Sequence, residues 1–233
     1  MASLRILLVG HGKMGRMVES LAGDYGCEVA GIIDPQSPRH GGGPDEAGGA
    51  GVDVAIDFST GASVTLNAPV LASRGISLVI GTTGWSANES VVRAAVEKNG
   101  VGIVVAPNFS TGVVLFDAIV AQAARLIAPQ TDFHAFLHES HHAAKTDAPS
   151  GTALLLKRSM EQAGFDRAID VSSTRAGFIP GTHTVGFDGP AETITLTHAA
   201  RDRSAFARGA LTAARWVHGK RGWFTMGDVL GIT

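Results

Sequence analysis

The chain has 233 residues, 45% of them apolar and 17% charged, with 19 basic against 21 acidic side chains and a net charge of −2. That length can bury one large core or two small ones, and the balanced charge gives no electrostatic case for nucleic acid or an anionic membrane as partner. A single cysteine, Cys27, excludes an intrachain disulfide framework and fits a reducing, cytoplasmic setting.

The first apolar run is too brief for a signal-peptide core or a membrane span and reads as a buried first strand, Arg5–Val9. Further strands are predicted at Glu28–Asp34, Val54–Phe58, Leu78–Gly81 and Gly102–Ala106, separated by helices at Met14–Ala22, Ser63–Arg74 and Ser86–Lys98. Continuous apolar strands alternating with helices predict a parallel sheet covered on both faces. Between Pro35 and Gly51, "PQSPRHGGGPDEAGGAG" reads as a flexible loop where a doubly wound fold usually holds another helix.

After Pro107 the pattern changes. A helix is expected at Val113–Ile127, an alternating strand at Phe133–His138, and a helix at Ala153–Ala163 closed by Gly164. Strands at Ile169–Thr174, Gly181–Gly186 and Ala191–His198 give a mixed sheet, and Ala205–Trp216 is a late helix. Two lobes are expected, with the C-terminal segment returning to the first.

"ILLVGHGKMGRMV" places Gly10, Gly12 and Gly15 in a G-x-G-x-x-G turn directly after a strand and at the mouth of a helix. The first glycine permits the tight turn, the second lets backbone approach a pyrophosphate, and the third allows close helix–strand packing. Asp34 ends the second strand, where a carboxylate accepts hydrogen bonds from an adenosine ribose. The plainer alternative is that the glycines only turn the chain and Asp34 only ends a strand. An acid there repels a 2′-phosphate, and Pro35 stands where an arginine would favour NADPH, so NADH is favoured; Lys13 and Arg39 remain as sources of positive charge.

"HESHHAAKTDAPSGTALLL", His138 to Leu156, concentrates ionisable groups just before a helix. Zinc is disfavoured as its purpose. His134 and His138 share a strand face but lie roughly 13 Å apart at about 3.3 Å per residue, and there is no nearby cysteine and no H-E-x-x-H pair. The stretch reads better as an acid–base and anion-binding loop. Asp147 or Ser150 can cap the helix starting near Gly151 and Thr152, whose exposed amides form an anion site. His141, His142 and Lys145 supply protons and positive charge ahead of it, suiting an acidic substrate. An ordinary polar loop is the bland alternative.

The run Glu139-x-His141-His142-x-x-Lys145-x-Asp147-Ala-Pro-Ser-Gly-Thr-Ala153 closely resembles the motif of the dihydrodipicolinate (4-hydroxy-tetrahydrodipicolinate) reductase family. "DFST" at Asp57–Thr60, "GTTG" at Gly81–Gly84 and "APNFSTGV" at Ala106–Val113 resemble its cofactor-side segments in the family's order, and "ITLTHAARDRSAFARGAL" with the terminal "MGDVL" resembles its closing segment. The matching pieces run from residue 4 to residue 230.

The resemblance implies an α/β fold: a Rossmann-like dinucleotide-binding domain at 1–110, completed by 204–233, and a smaller substrate and oligomerisation domain at 111–203 with a mixed sheet. It implies an NAD(P)H-dependent reductase of the diaminopimelate route to lysine. Hydride goes to C4 of a cyclic imine dicarboxylate after loss of the 4-hydroxyl as water, and a proton goes to the adjacent carbon. By motif position His141 matches the general acid/base, Lys145 a second proton donor and His142 a substrate-binding histidine, while Gly151 and Thr152 hold a substrate carboxylate. Gly10, His11, Gly12, Lys13, Met14, Gly15 and Asp34 match pyrophosphate and ribose contacts; Gly81, Thr82, Thr83, Ala106, Pro107, Asn108 and Phe109 match the nicotinamide side. The implied assembly is a cytoplasmic homotetramer with lobes hinged near Phe109–Gly112 and Arg201–Arg208. The chain departs from the family in a glycine turn one residue shorter than G-x-x-G-x-x-G, in a short loop after Asp34, and in Ala199 where some members carry lysine. A binding protein on a Rossmann scaffold, or a dehydrogenase of sugars or aldehydes, are the competing readings. Neither accounts for the ionisable cluster beside the helix start.

Overall fold

A computed structural model of the chain describes residues 3–37, 39–43 and 51–232, so parts of the Gly/Pro-rich loop lie outside the described residues. In chain order the elements are β1 (Leu4–Val9), α1 (Lys13–Leu21), β2 (Cys27–Ile33), β3 (Val54–Asp57), α2 (Gly61–Ser73), β4 (Ser77–Ile80), α3 (Glu89–Asn99), β5 (Gly102–Val105) and α4 (Thr111–Ile127). There follow β6 (His134–His141), α5 (Gly151–Gln162), β7 (Ile169–Arg175), β8 (Thr182–Asp188), β9 (Thr193–Ala199), α6 (Ser204–Val217), β10 (Gly222–Phe224) and α7 (Met226–Leu230). They fall into two compact units, Met1–Thr111 with Ser204–Thr233, and Gly112–Arg203.

The first unit holds a six-stranded sheet in the order β10-β5-β4-β3-β1-β2. Its neighbouring strands all pair in parallel. Every residue of β3 and β4 is buried, the polar Asp57 and Ser77 at their ends included, as expected of strands covered on both faces. The strand order reverses between β1 and β3, and the loops leaving the C-terminal ends of the strands there carry the glycine turn and Phe58–Thr60. Such a switch point is where doubly wound sheets bind ligands. Ser204–Thr233 group with the first unit and carry a strand and a short helix, β10 and α7, that the sequence pattern leaves unassigned. Three residues are too few to show a period.

The second unit has a mixed sheet, β7-β6-β8-β9, in which β6 and β7 are parallel and the other pairs antiparallel. Its inner face packs Leu137, Val185 and Phe187 against Val120 and Ala124 of α4 and Leu156 and Met160 of α5. Each of the larger of these side chains contributes about 1.5–3 kcal/mol by leaving water. Register then produces an abrupt change of chemistry along this face. The row Val171–Leu137–Val185–Leu196 is apolar, while the next, Ser173–Glu139–His183–His198, is polar and titratable.

Strand β6 corrects the sequence expectation. It runs to His141 rather than ending at His138, so Glu139 and His141 belong to a strand and not to a loop. Alternation continues through both residues, with Ala135, Leu137, Glu139 and His141 all buried. The charge on Glu139 made the pattern look finished.

Candidate active site

In the first unit the glycine turn is built as a cradle. Gly10 has φ +89°, a conformation that strains any other residue, and a β-carbon on Gly15 would lie 2.1 Å from the Gly10 carbonyl oxygen. A β-carbon on Gly12 would meet nothing within 4 Å, and as N-cap of α1 Gly12 puts no side chain over the helix's first amides. Open space in front of uncapped amides fits a dinucleotide pyrophosphate. Lys13 is exposed at the mouth of α1.

Asp34 lies one residue past β2. Its carboxylate accepts from the His11 amide at 2.6 Å and from the Gln36 amide at 2.9 Å, and these bonds hold it below the usual carboxylate range. The His11 ring is not free for a ligand: buried, it joins Ser37 Oγ through Nδ1 and Glu19 through Nε2, each at 2.9 Å. Arg39 also pairs with Glu19. His11 is therefore a scaffold residue whose side chain ties the loop after β2 to α1.

A cleft of about 240 Å³ is lined by Met14, Phe58, Ser59, Thr60, Gly81, Thr82 and Thr83. Buried Asp57 joins its two walls, accepting from Ser59 Oγ at 2.6 Å and Thr82 Oγ1 at 2.7 Å. Burial pushes the Asp57 carboxyl up in spite of these bonds. Phe109, fully buried, meets Phe58 edge-on at 6.1 Å. The Ala106 amide donates to Ile80 O at 3.2 Å, Asn108 Oδ1 accepts from the Ser110 amide at 2.8 Å, and Pro107 is exposed between them. The three segments singled out in the sequence thus converge at one end of one sheet.

In the second unit the ionisable cluster is centred on Glu139, which has no exposed surface. Its Oε2 accepts from His141 Nδ1 and, at 3.0 Å, from Arg175 Nη1; its Oε1 accepts from Arg175 Nη2 at 2.6 Å and the Ser150 amide at 3.3 Å. Burial alone would raise this carboxyl, but hydrogen bonds from Arg175, Ser173 and His141 outweigh it and hold it at about 2. For His141 burial dominates: it lowers the imidazole pKa, against the opposing pull of Glu139 and with help from Lys145 and Arg175. His141 meets His183 edge-on at 5.2 Å. His183 is pushed down to about 4, chiefly by burial.

Ser150 caps α5, its Oγ accepting from the Ala153 amide at 3.2 Å and meeting His183 Nε2 at 3.1 Å. Asp147 does not occupy the N-cap position; its carboxylate receives Lys145 Nζ at 2.6 Å and also a backbone hydrogen bond from Gly151. Gly151 and Thr152 form the first turn of α5, and a β-carbon on Gly151 would meet nothing within 4 Å. His142 follows β6 half-buried, its carbonyl accepting from the Lys145 amide at 3.1 Å. His141, His142, Lys145, Gly151 and Thr152 therefore belong to one unit and gather around the end of β6 and the start of α5.

Glu139, His141 and His183 bring ligand atoms within 4.8 Å of one another, a spacing that a metal ion could bridge. Arg175 argues against it, since its guanidinium already lies on both Glu139 oxygens, where the cation's charge would have to sit. His134 and His138 lie on the opposite face of β6, where His138 meets Ser172 and Ser140. Arg175 and His183 were missed because only strand pairing brings them to Glu139; no local motif marks them.

Family models for dihydrodipicolinate reductase match residues 4–109 with the N-terminal part and residues 112–230 with the C-terminal part. The chain belongs to the dihydrodipicolinate reductase family. Similar members include the 4-hydroxy-tetrahydrodipicolinate reductase of Rhodopseudomonas palustris (strain BisA53), 35% identical with 100% of this chain and 98% of that protein covered. That of Myxococcus xanthus (strain DK1622) is 42% identical over 78% of this chain and 73% of that one. A dipicolinate-bound dihydrodipicolinate reductase from Paenisporosarcina sp. TG-14 shares the fold at TM-score 0.79 and 23% identity, covering 96% of this chain and 97% of that one. Among the described residues no helix is long and apolar enough to cross a membrane.

Proposed function

We propose that the chain reduces 4-hydroxy-tetrahydrodipicolinate to tetrahydrodipicolinate, with loss of water, in the diaminopimelate route to lysine. Family membership supports the reaction. The observation that carries its assignment to residues is the buried Glu139–His141 pair beside Lys145 and the start of α5.

The first unit, including 1–110 and 204–233, takes the dinucleotide, with Gly10 to Gly15 at the pyrophosphate and Asp34 at the ribose. Gly81 to Thr83 and Ala106 to Phe109 line its nicotinamide end. Bound NAD(P)H supplies the hydride. The second unit, 111–203, holds the substrate. The Gly151 and Thr152 amides receive one carboxylate, with Lys145 and His142 adding positive charge and donors. His141 gives a proton to the carbon beside the reduced one, and Lys145 is the second donor. Burial and cationic neighbours keep the His141 imidazole neutral in the free protein. A bound dianion reverses that balance and raises its proton affinity where the proton is needed.

NADH is the favoured cofactor. Asp34 brings negative charge to the ribose position, and Arg39, the nearest cation of the following loop, is paired with Glu19. A cytoplasmic homotetramer is proposed through the outward face of the second sheet, which carries exposed Ser172, Thr174, Thr193, Thr195 and Thr197. Light scattering tests that assembly.

The deciding experiment follows NADH and NADPH oxidation with substrate generated in place by a synthase from pyruvate and aspartate semialdehyde. The expected result is synthase-dependent consumption that collapses in His141→Gln. Tight dinucleotide binding with no consumption of either cofactor would overturn the reading in favour of a binding protein.

A further inference from the structure

We infer that Glu139 is a positioning residue for His141: its carboxylate accepts a hydrogen bond from the Nδ1–H of the imidazole and so makes Nε2 the atom that exchanges a proton with substrate. The inference rests on the reading of His141 as the acid. An ionised carboxylate is acceptor-only, so the nitrogen bonded to it has to be the protonated one. Glu139 is kept ionised from two sides, by the forked contact of Arg175 and by Ser173. Spacing i, i+2 on β6 puts both side chains on the same face, so a rigid strand rather than a loop sets their geometry. On the opposite side of the ring only the absence of a side chain keeps the space beside Nε2 unfilled. His141 Nε2 faces Gly181, where a β-carbon would already stand 3.0 Å away.

The same carboxylate ties down the elements around the ring. Through Arg175 it grips β7, and through the Ser150 amide it grips the start of α5. The charged and titratable groups facing His141 are Glu139 on its own strand, Arg175 on β7, Lys145 in the following loop and His183 on β8. Glu139 is the one anion among these four, so it alone favours the imidazolium that forms when the proton moves.

The wild-type enzyme gives the first test, by nitrogen-15 NMR of labelled histidine. The expected result is an Nδ1–H tautomer for His141; an Nε2–H tautomer would overturn the inference alone. In Glu139→Gln we expect turnover to fall about 10- to 100-fold with KM changed less than about threefold. The His141 titration should move to lower pH, because the one group raising it has been neutralised. Glu139→Asp, which restores the charge, should bring that titration back toward the wild-type position. Unchanged kcat and an unmoved His141 titration in a folded Glu139→Gln would reduce Glu139 to a structural ion-pair partner of Arg175. Full turnover in His141→Gln would overturn the catalytic reading and this inference with it.

Discussion

A β-carbon on Gly15 would overlap the carbonyl oxygen of Gly10 at 2.1 Å, whereas one on Gly12, between them, would touch nothing within 4 Å. Two substitutions in one turn should therefore fail differently. Gly15→Ala forces α1 away from β1 and should cost about 1–3 kcal/mol as an overpacked contact. Gly12→Ala should leave stability within about 0.5 kcal/mol yet weaken dinucleotide binding at least about tenfold, since the added methyl occupies the space facing the α1 amides. Thermal melts and calorimetric titration with NADH separate the two effects. Normal NADH affinity in Gly12→Ala would show that the pyrophosphate does not lie on this turn.

Asp34 is asked to do two things, and one substitution divides them. Its oxygens hold the His11 and Gln36 amides, and in the proposed function its charge faces the ribose. In Asp34→Asn the carbonyl oxygen can keep one of these bonds, but the amide nitrogen cannot accept the other, so the turn loosens and NADH binds more weakly. The repulsion against a 2′-phosphate disappears at the same time. The expected outcome is a shift of about tenfold in the NADPH-to-NADH affinity ratio. An unchanged ratio with both affinities reduced would leave Asp34 as a turn clamp only.

The first unit was legible in the sequence because each of its working segments is local. Gly10, Gly12 and Gly15 lie within one turn, and Asp57 contacts Ser59 two residues away. The second unit was legible only in part. His141, Lys145 and Ser150 stand in one short run, but the partners that set their chemistry do not. Arg175 reaches Glu139 across 36 residues and His183 reaches Ser150 across 33, through a register that no periodicity reveals. Glu139 misled for a related reason: a charged residue in an alternating strand looks like its end until its counter-ion is found on the next strand.

His183 gives a pH test. Its imidazole is buried and pushed down to about 4 from 6.5, so the unfolded chain binds the proton first as pH falls. The stability it contributes is complete above about pH 6.5 and is lost progressively as pH falls through about 4. In His183→Asn this part of the pH dependence should vanish, with overall stability at pH 7 lowered by the lost Ser150 contact, about 1 kcal/mol. Urea midpoints at steps between pH 7 and 4 read it directly. Parallel curves for wild type and variant would mean that His183 is protonated in the folded state at ordinary affinity.

The Arg175–Glu139 pair should show the asymmetry of buried charges. Arg175→Met removes both guanidinium bonds and leaves Glu139 buried with only His141, Ser173 and the Ser150 amide. An uncompensated charge of this kind costs about 3–5 kcal/mol. The pair also has a pH signature. Glu139 is held at about 2 against 4.5, so its stabilisation is complete above pH 4.5 and is lost as pH falls toward 2. Without Arg175 the carboxyl rises toward 4.5, so this acid loss, which still begins near pH 4.5, should end at higher pH and be smaller. Replacing both residues, as Arg175→Met with Glu139→Gln, removes the stranded charge and should recover part of the stability lost in the single variant while leaving turnover low. Equal unfolding free energies for the single and double variants at pH 7 would show that the cost lies in lost packing around Arg175 and not in the charge left behind.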